Sequence, residues 1–391
     1  MICVGIDVSK DKHDCCIFSS DGQLLLKPFS VPNNRDGFDS LYSAILSFEN
    51  EPNKVKVGLE ATGHYSFNIL GYLLEKGIHC FVFNPLHTNL YRKSLTLRKT
   101  KTDKVDSKII AKMLLSEVDL KPYSKTLYHN EQLKSLSRYR FSKIRERGNL
   151  KQQLARLVNI LFPELETLVP SLHLSSVYAL LEEFPGASCI AKAHLTRLSN
   201  LLCASSKGHY KKDKAVEIRN AASSSVGSVI PAKSLELKHT IQLIRILSEE
   251  IDEIEAQIQE IMEKIHSPIT SIPGLGFRMA AMILSEIGDF SKFDSPDKIL
   301  AFAGISPSTY QSGKLDNAYA HMEKRGSRYL RYALYNAAVY VCHWDPTFSA
   351  YLQKKRAEGK HYYVALSHAI KKLVRVIYRL QLTGEPYRPA I

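Results

Sequence analysis

The order of apolar and polar positions at the start of the chain is typical of strands that later alternate with helices. The segments ICVGIDVS, HDCCIFSS and QLLLKPFSV follow one another, and Asp21-Gly22, between the last two, is a strong signal for a hairpin turn. We therefore predict that the chain begins with three strands in a meander.

Helical and strand patterns then take turns. An amphipathic stretch from Arg35 to Phe48 precedes the strand pattern VKVGLEA, and a helical stretch from Tyr65 to Lys76 precedes the strand pattern HCFVFNP. A further helix is predicted from Asp103 to Leu115. The resulting order, β-β-β-α-β-α-β-α, predicts a mixed sheet whose later strands are joined by helical crossovers.

Beyond Pro122 the pattern is wholly helical, with one sustained heptad seam that predicts a coiled coil. An earlier arm has leucines at the same spacings and could pair with the seam in an antiparallel hairpin or in another protomer; the sequence leaves both open. Between the arms, SSKGHYKKDK and AASSSVG indicate either a small helical insertion or a surface connector. The seam consists of Ile244, Leu247, Ile251, Ile254, Ile258, Ile261 and Ile265, and the arm of Leu150, Leu154, Leu157 and Leu161.

The last part of the chain begins with SPITSIPGLGFRMAAMILSEIG, which resembles a helix-hairpin-helix around Gly274 and Gly276. Such a turn can point backbone amides at a phosphate, although a glycine-capped helix turn would give the same pattern. An irregular stretch from Phe302 to Ala320 separates it from a final helical region. We predict three domains, at residues 1–122, 123–266 and 267–391.

The excess of basic over acidic residues indicates what kind of partner the protein binds. The 391 residues include 53 Lys and Arg against 39 Asp and Glu, a net charge of +14. Such an excess is typical of proteins that bind a polyanion, most simply nucleic acid, and the alternative is a soluble protein that happens to be basic.

The cysteines and the apolar segments indicate a compartment. The seven cysteines form no CxxC pair and have apolar or small neighbours, as expected of buried thiols in a reducing cytosol. The first residues, MICVGIDVSK, lack the pattern of a signal peptide, and no segment has the roughly 18 uncharged apolar residues of a membrane span. We expect a soluble cytoplasmic protein without a membrane partner.

Four acidic residues stand at the ends of the predicted elements. Asp7 and Glu60 lie in apolar strand segments, where a carboxylate is disfavoured unless it has a partner, and the two strands can be neighbours in the sheet. Asp103 and Asp106 are three residues apart and therefore share a helix face. Both could instead be ordinary first-turn residues of a helix.

Four converging carboxylates require a cation, and hard oxygen ligands favour Mg²⁺ or Mn²⁺ over zinc. Around the two aspartates the chain is rich in lysine, which suits the phosphates that such a metal would activate. The candidate phosphate ligands are Lys99, Lys101, Lys104 and Lys108.

Five motifs together resemble a known family. GIDVSK, GLEATGHYS, KTDKVDSKIIAKML, SIPGLG and AGISPSTYQSG with KRGSRYLRYAL are similar to the insertion-sequence transposases with a RuvC-like DEDD domain, relatives of the pilin-gene-inverting recombinases. The match covers both ends of the chain, and the middle matches in helical character only. The resemblance implies a ribonuclease-H-like mixed α/β domain, a helical middle and a mostly helical carboxy-terminal transposase domain.

The resemblance also implies site residues. Asp7, Glu60, Asp103 and Asp106 would bind the metal, and Ser312 in TYQSG would attack DNA as a nucleophile. A serine hydroxyl that attacks a phosphodiester forms a covalent phosphoserine, which conserves the bond energy for rejoining. A basic cluster suited to gripping DNA follows the serine, and its alternative role is a solvated helix face; it consists of Lys324, Arg325, Arg328 and Arg331.

By the same resemblance the partners would be target and donor DNA and a structured bridge RNA. The active site would join the metal domain of one protomer to the serine domain of another, in a dimer or tetramer. We therefore expect a DNA transposase or site-specific recombinase. The alternatives are a metal-dependent nuclease that uses activated water, and a nucleic-acid-binding protein without activity.

Overall fold

The structure is a computed structural model that describes residues 1–60, 64–95, 103–116, 120, 122–123, 131–306, 311–312, 315–316 and 322–389. Side chains are described throughout these ranges except at 86, 103, 104, 311, 312, 315 and 316. The chain forms two compact units, Met1–Glu131 and Gln132–Ile391, which are treated separately below. The division into three domains stays a prediction.

A five-stranded mixed sheet forms the centre of the first unit. Its strands are β1 (Ile2–Val8), β2 (Lys12–Ser19), β3 (Leu24–Pro32), β4 (Val55–Glu60) and β5 (His79–Phe83), in the spatial order β3-β2-β1-β4-β5. The first three strands are antiparallel neighbours, whereas β4 runs parallel to both β1 and β5. The predicted meander and mixed sheet are confirmed.

In the described part of this unit, four α-helices accompany the sheet: α1 (Arg35–Leu46), α2 (Ser66–Glu75), α3 (Pro85–Leu95) and α4 (Asp103–Ser116). The sequence prediction missed α3 and extended the preceding strand to Pro85. The segment PLHTNLYRKSL has few apolar residues, so its helical periodicity is weak. Proline at the first helical position, however, is a start signal, because its fixed φ suits a helix and its missing N–H would be unpaired there anyway.

Helix α4 lies directly on the sheet at two glycines. A Cβ atom at Gly5 of β1 would lie 2.1 Å from the carbonyl oxygen of Ser107, and one at Gly58 of β4 would lie 2.9 Å from Cγ2 of Ile110. Only hydrogen fits in these gaps, so the helix backbone approaches β1 more closely than any larger residue would allow. The strand that carries Asp7 and the helix that carries Asp106 are thereby in contact.

Two long antiparallel helices, α5 (Glu131–Leu161) and α11 (Pro231–Ile265), organise the second unit. The carboxylate of Glu255 contacts Nη2 of Arg140 at 2.6 Å, and Gln153, further along α5, donates to Glu236, nearer the start of α11, at 2.9 Å. The structure thus has the arms paired within one chain. Whether they form a true coiled coil stays a prediction.

The heptad seam is mostly buried within this pair. Five members are at most 9 % exposed: Ile244, Leu247, Ile251, Ile254 and Ile258. Beyond them, Met262 is buried, while Ile261 is only partly buried and Ile265 is exposed. A straight helix has 3.6 residues per turn, so a strict 3.5-residue repeat drifts away from the core.

Five shorter helices connect the two arms and share a core with them. They are α6 (Leu165–Leu168), α7 (Ser175–Glu183), α8 (Ala187–Lys192), α9 (Leu195–Ser205) and α10 (Lys212–Ser223). Fully buried residues of these helices, such as Leu180 and Ile218, belong to the same apolar cluster as Leu161 and Ile241 of the long helices. The connection is therefore a packed helical insertion.

The remaining helices are α12 (Phe277–Ile287), α13 (Pro296–Phe302), α14 (Arg328–Trp344), α15 (Pro346–Ala357) and α16 (Tyr362–Thr383). They pack into a second apolar cluster, which includes the fully buried Leu330, Leu334 and Ile370. Within the stretch predicted to be irregular, β6 (Gln311–Ser312) and β7 (Leu315–Asp316) form a short antiparallel pair. Wherever the structure describes a helix, that helix is too short or too polar to cross a membrane.

Candidate metal and nucleic-acid site

The first two predicted acids occupy equivalent positions on neighbouring strands. The parallel pairing of β1 with β4 ends at Ile6 opposite Leu59, so that Asp7 and Glu60 are the next residue on each strand. Side chains alternate along a strand, so Asp7 shares a sheet face with Gly5, and Glu60 shares it with Gly58. This is the face that α4 covers, and both acids are half-buried there.

Asp106 lies on α4 one turn before Ile110, the residue next to Gly58. Its side chain is buried, and Oδ1 is 3.3 Å from Nη1 of Arg92. Arg92 also donates to Asn89 at 2.8 Å, which fixes the guanidinium along α3. A basic side chain from the helix that the sequence prediction missed therefore neutralises this carboxylate. The side chain of Asp103, at the start of α4, lies outside the described residues.

A further acid in this region, Asp14, was not predicted from the sequence. It is 1 % exposed and pairs with Asp7 across the antiparallel strands β1 and β2. Its carboxylate accepts a hydrogen bond from Ser30 at 2.5 Å and contacts Nζ of Lys12 at 2.9 Å. The sequence gives no sign of this, because every residue of β2 from His13 to Phe18 is buried and no alternation of polar and apolar positions marks Asp14.

The fit of these residues to a divalent metal rests on their chemistry. Among the described residues, no group of three or more His, Cys, Asp and Glu side chains is arranged to hold a metal ion. The carboxylate donors nevertheless match the oxygen ligands that Mg²⁺ and Mn²⁺ prefer. Convergence of all four acids therefore stays a prediction, and it depends on Asp103 and on release of Asp106 from Arg92.

Of the four predicted lysines, only Lys108 has a described side chain. Lys99 and Lys101 lie outside the described residues, and Lys104 has a described backbone alone. Burial raises the pKa of the Cys16 thiol to about 11, against a smaller lowering by the hydrogen bond with Ser107 and the charge of Lys108. Lys108 thus lies near Cys16 of β2.

In the second unit, Ser312 ends β6 and pairs with Leu315 of β7, the structure describing the backbone alone at both positions. The basic cluster follows at the start of α14, where Lys324, Arg325 and Arg328 are exposed. Arg331 differs, because its Nη1 donates to the carbonyls of Ala303 at 2.9 Å and Lys324 at 3.2 Å. Arg331 therefore helps to hold the chain before α14, whereas a role in phosphate binding stays a prediction for all four.

A buried carboxylate anchors the start of α14. Glu286 is 5 % exposed and accepts two hydrogen bonds from Arg138, at 2.6 and 3.0 Å, and one from Ser327 at 2.6 Å. Ser327 in turn caps α14 by accepting from the amide of Leu330. The Arg138 guanidinium also lies 4.6 Å from the ring centre of Tyr329. The sequence prediction did not identify this network, because its members are far apart in the chain.

The Gly-Leu-Gly turn lies before α12. Gly274 has φ +85°, and a Cβ atom there would lie 2.6 Å from the carbonyl oxygen of Tyr340. Gly276 is the N-cap of α12; no side chain caps the helix, and a Cβ atom at Gly276 would meet nothing within 4 Å. The turn therefore packs against α14 on one side and is open at the helix start. A helix-hairpin-helix and a phosphate contact there stay predictions.

Comparison with known proteins gives two matches to family models. Residues 4–163 match a model described as a transposase, DEDD_Tnp_IS110, and residues 266–353 match one described as Transposase IS116/IS110/IS902 family. All four predicted acids fall in the first matched segment, and Ser312 and the basic cluster fall in the second.

Individual relatives match nearly the whole chain. The chain is 24 % identical to the insertion element IS116 uncharacterized 44.8 kDa protein of Streptomyces clavuligerus, over 100 % of this chain and 96 % of that protein. It is 23 % identical to the pilin gene-inverting protein of Moraxella bovis, over 98 % and 97 % of the two chains. The two family models together cover more than half of the residues, and the chain belongs to the IS116/IS110/IS902 family of transposases.

Proposed function

We propose that this transposase cuts and rejoins DNA through a covalent phosphoserine at Ser312, with assistance from Mg²⁺ or Mn²⁺ held by Asp7, Glu60, Asp103 and Asp106. The serine oxygen attacks phosphorus, the bond from phosphorus to the leaving sugar oxygen breaks, and that oxygen takes up a proton. Attack of a sugar hydroxyl on the phosphoserine then restores a phosphodiester and frees the serine. When bound, the metal would stabilise charge on the phosphoryl and leaving oxygens.

One observation carries the metal part of the proposal. Asp7 and Glu60 come directly after the last paired residues of neighbouring parallel strands, on the sheet face that α4 covers, and α4 itself carries Asp103 and Asp106. Two carboxylates at adjacent positions repel each other unless a positive charge lies close by. A divalent cation would supply that positive charge, and it would also attract the anionic phosphates of a DNA substrate.

The exposed basic side chains support the proposal that the substrate is DNA. Lys324, Arg325 and Arg328 lie at the start of α14, shortly after the serine, and the whole chain has a net charge of +14. Arginine forks match phosphate oxygens, so this cluster suits DNA held near Ser312. Donor and target DNA are the expected substrates, as they are for the family.

A guide RNA and an oligomer also belong to the proposal, and both rest on the family resemblance. The heptad seam does not support an oligomer, because most of it is buried within its own chain. Of the two pairings that the sequence left open, the structure has the one within the chain. A dimer or tetramer would have to form through other surfaces. An oligomer would be needed because, by the family resemblance, the active site combines the metal-binding unit of one protomer with the serine of another.

The second candidate is a metal-dependent nuclease that activates water at the four acids. The two functions differ in the fate of the cut strand. Purified protein, Mg²⁺ and RNA transcribed from the flanks of the element would be incubated with labelled cognate DNA, and the products denatured. The proposal predicts a protein–DNA adduct that survives denaturation and is lost in Ser312→Ala. The adduct should persist in Ser224→Ala, which changes an exposed control serine directly after α10. Cleavage without an adduct, unchanged in Ser312→Ala, would favour the nuclease.

Loss of all cleavage in Asp103→Ala with retained DNA binding would exclude a binding protein without activity. The same variant tests the metal part, because DNA cleavage that persists in Asp103→Ala would contradict a metal site that includes this residue.

A further inference from the structure

Ligand clefts in proteins commonly have volumes of about 300–1,000 Å³. The second unit contains a cleft of 440 Å³ that the proposed chemistry does not use. It lies where the two long helices α5 and α11 meet the Gly-Leu-Gly turn and α14. Each element contributes a polar group: Arg140 from α5, Glu255 from α11, Arg278 from α12, and Asn336 and Tyr340 from α14. The site is therefore built by segments more than a hundred residues apart.

The charge in this cavity is positive. The Glu255 carboxylate contacts Nη2 of Arg140 through Oε1 and Nη2 of Arg278 through Oε2, both at 2.6 Å. Burial raises the pKa of Glu255, but the hydrogen bonds from Arg278 and Arg140 and the charges of these arginines together lower it by more. The pKa therefore lies below its ordinary value, and the carboxylate stays charged. Two cations face one anion, which leaves an excess of one positive charge.

Only one of the two arginines can reach a ligand from solvent. The side chain of Arg140 is 12 % exposed, whereas that of Arg278 is 49 % exposed. Arg140 therefore fixes Glu255, and Glu255 orients the exposed guanidinium of Arg278. A guanidinium held in this way loses less side-chain entropy when it binds a phosphate, because its rotamer is already restricted.

Two further features of the cavity suit a nucleic-acid strand. Gly276 lines it and leaves the start of α12 open, so backbone amides of the first turn are not covered by a side-chain cap. Tyr340 also lines it, and its side chain is 55 % exposed. Exposed aromatic rings beside a cationic groove are platforms on which bases stack.

We propose that this cavity binds one phosphodiester of a nucleic-acid backbone through Arg278, with the adjoining base or sugar against Tyr340. The inference rests on the proposed function in taking nucleic acid as the substrate, and it adds a contact other than the serine and the acids. The shared chemistry is the phosphodiester, which DNA or RNA can supply.

Binding by the full-length protein would be measured by fluorescence anisotropy with three probes: a random-sequence DNA duplex, single-stranded DNA and a structured RNA. For the nucleic acid that occupies the cavity, Arg278→Ala should weaken binding about tenfold and reduce the slope of log K against log salt by about 1. Tyr340→Ala should weaken binding of the same probe, and Tyr340→Phe, which keeps the ring, should bind like the wild type.

The matched control is Arg197→Ala on α9, which also removes an exposed arginine paired with a carboxylate, Glu183. Arg278→Gln removes the charge but keeps a donor for Glu255, and it replaces Arg278→Ala if that variant does not fold. Binding of all three probes within twofold of the control, with an unchanged salt slope, would overturn the proposal.

The readout is equilibrium binding, so it is independent of the adduct assay. An Arg278 variant that binds normally while the wild type still forms the phosphoserine adduct would reject this site and leave the proposed function standing. Weakened binding by the Arg278 variant would support the site even if Ser312→Ala kept the adduct, and the proposed chemistry alone would then fail.

Discussion

Replacement of Gly5 by alanine should displace the helix that carries two of the predicted metal ligands. The new Cβ atom would lie 2.1 Å from the carbonyl oxygen of Ser107, 2.5 Å from the amide nitrogen of Ala111 and 2.9 Å from its Cβ. Two of these three atoms belong to the backbone of α4, so no side chain can rotate out of the way. Since Cβ atoms do not approach other atoms to within 3.0 Å, α4 or β1 must move by about 1 Å.

The movement should affect both stability and activity. Overpacking of a close-packed interior costs about 1–3 kcal/mol, and backbone atoms on both sides place this site towards the upper end. Gly5 is two residues before Asp7, and Ser107 follows Asp106 directly, so the same shift changes the separation between acids of the strand and acids of the helix. A misplacement of about 1 Å in a catalytic arrangement can reduce the rate on the order of a hundredfold.

The free energy of unfolding would be measured by urea denaturation, and DNA cleavage under conditions where the variant remains folded. Gly148→Ala is the matched control, since a Cβ atom there, inside α5, would meet nothing within 4 Å. It should stabilise the protein by about 0.5–1 kcal/mol because alanine is the better helix former. If Gly5→Ala were as stable and as active as the wild type, the contact between α4 and β1 could not be as close as described.

Three further outcomes follow from the structure. Glu286→Ala should lower the free energy of unfolding by about 2 kcal/mol in urea denaturation, because it removes the carboxylate that pairs with Arg138. This magnitude is smaller than for a fully buried pair because the side chain of Arg138 is about half exposed. A loss below about 0.5 kcal/mol would contradict the prediction. Of the seven cysteines, only Cys189 and Cys203 should react with iodoacetamide in the folded protein, because the other five are buried; mass spectrometry that found a buried cysteine labelled equally fast would refute it. Because folding lowers the pKa of Glu255, its contribution to stability is complete above the ordinary value of 4.5 and is lost as the pH falls through the folded-state pKa. In Glu255→Gln, the free energy of unfolding should therefore depend less on pH below pH 4.5 than in the wild type. An unchanged pH dependence in this range would contradict the ion pairs of Glu255.

The strands of the first unit could be predicted from the sequence because each is a short apolar run bounded by a clear turn signal. The Asp21-Gly22 turn separates β2 from β3, and the apolar runs before Asp7 and Glu60 correspond to β1 and β4. Helix α3 could not be predicted in the same way, since it has little apolar periodicity, and tertiary contacts such as Arg92 with Asp106 help to hold it.

The candidate site was only partly predictable, for a different reason. An acid in an apolar strand is anomalous by itself, so Asp7 and Glu60 could be found without knowledge of the fold. The groups that neutralise carboxylates come from elsewhere in the chain: Arg92 for Asp106, and Arg138 for Glu286, 148 residues away. No local pattern marks such a partner, because the residues next to an arginine in the sequence do not show which distant carboxylate it will contact in the fold.

The heptad seam shows what a hydrophobic pattern leaves undecided. Apolar residues at a and d positions state that a helix face is buried, and they give the same signal whether the covering helix belongs to the same chain or to another. Charged residues beside the seam carry the missing information. Lys143 contacts Glu250 at 2.7 Å, further along α5 Arg147 donates to Ser248 at 3.0 Å, and Lys233 near the start of α11 shares Glu236 with Gln153.

As the position on α5 advances, the position of its partner on α11 recedes, which defines one antiparallel register within the chain. An intermolecular pairing of these helices would have to break these contacts and uncover the apolar cluster shared with the helical insertion. Protomers of the proposed oligomer would therefore have to join through surfaces other than the seam, and a search for that interface should begin with exposed residues outside it.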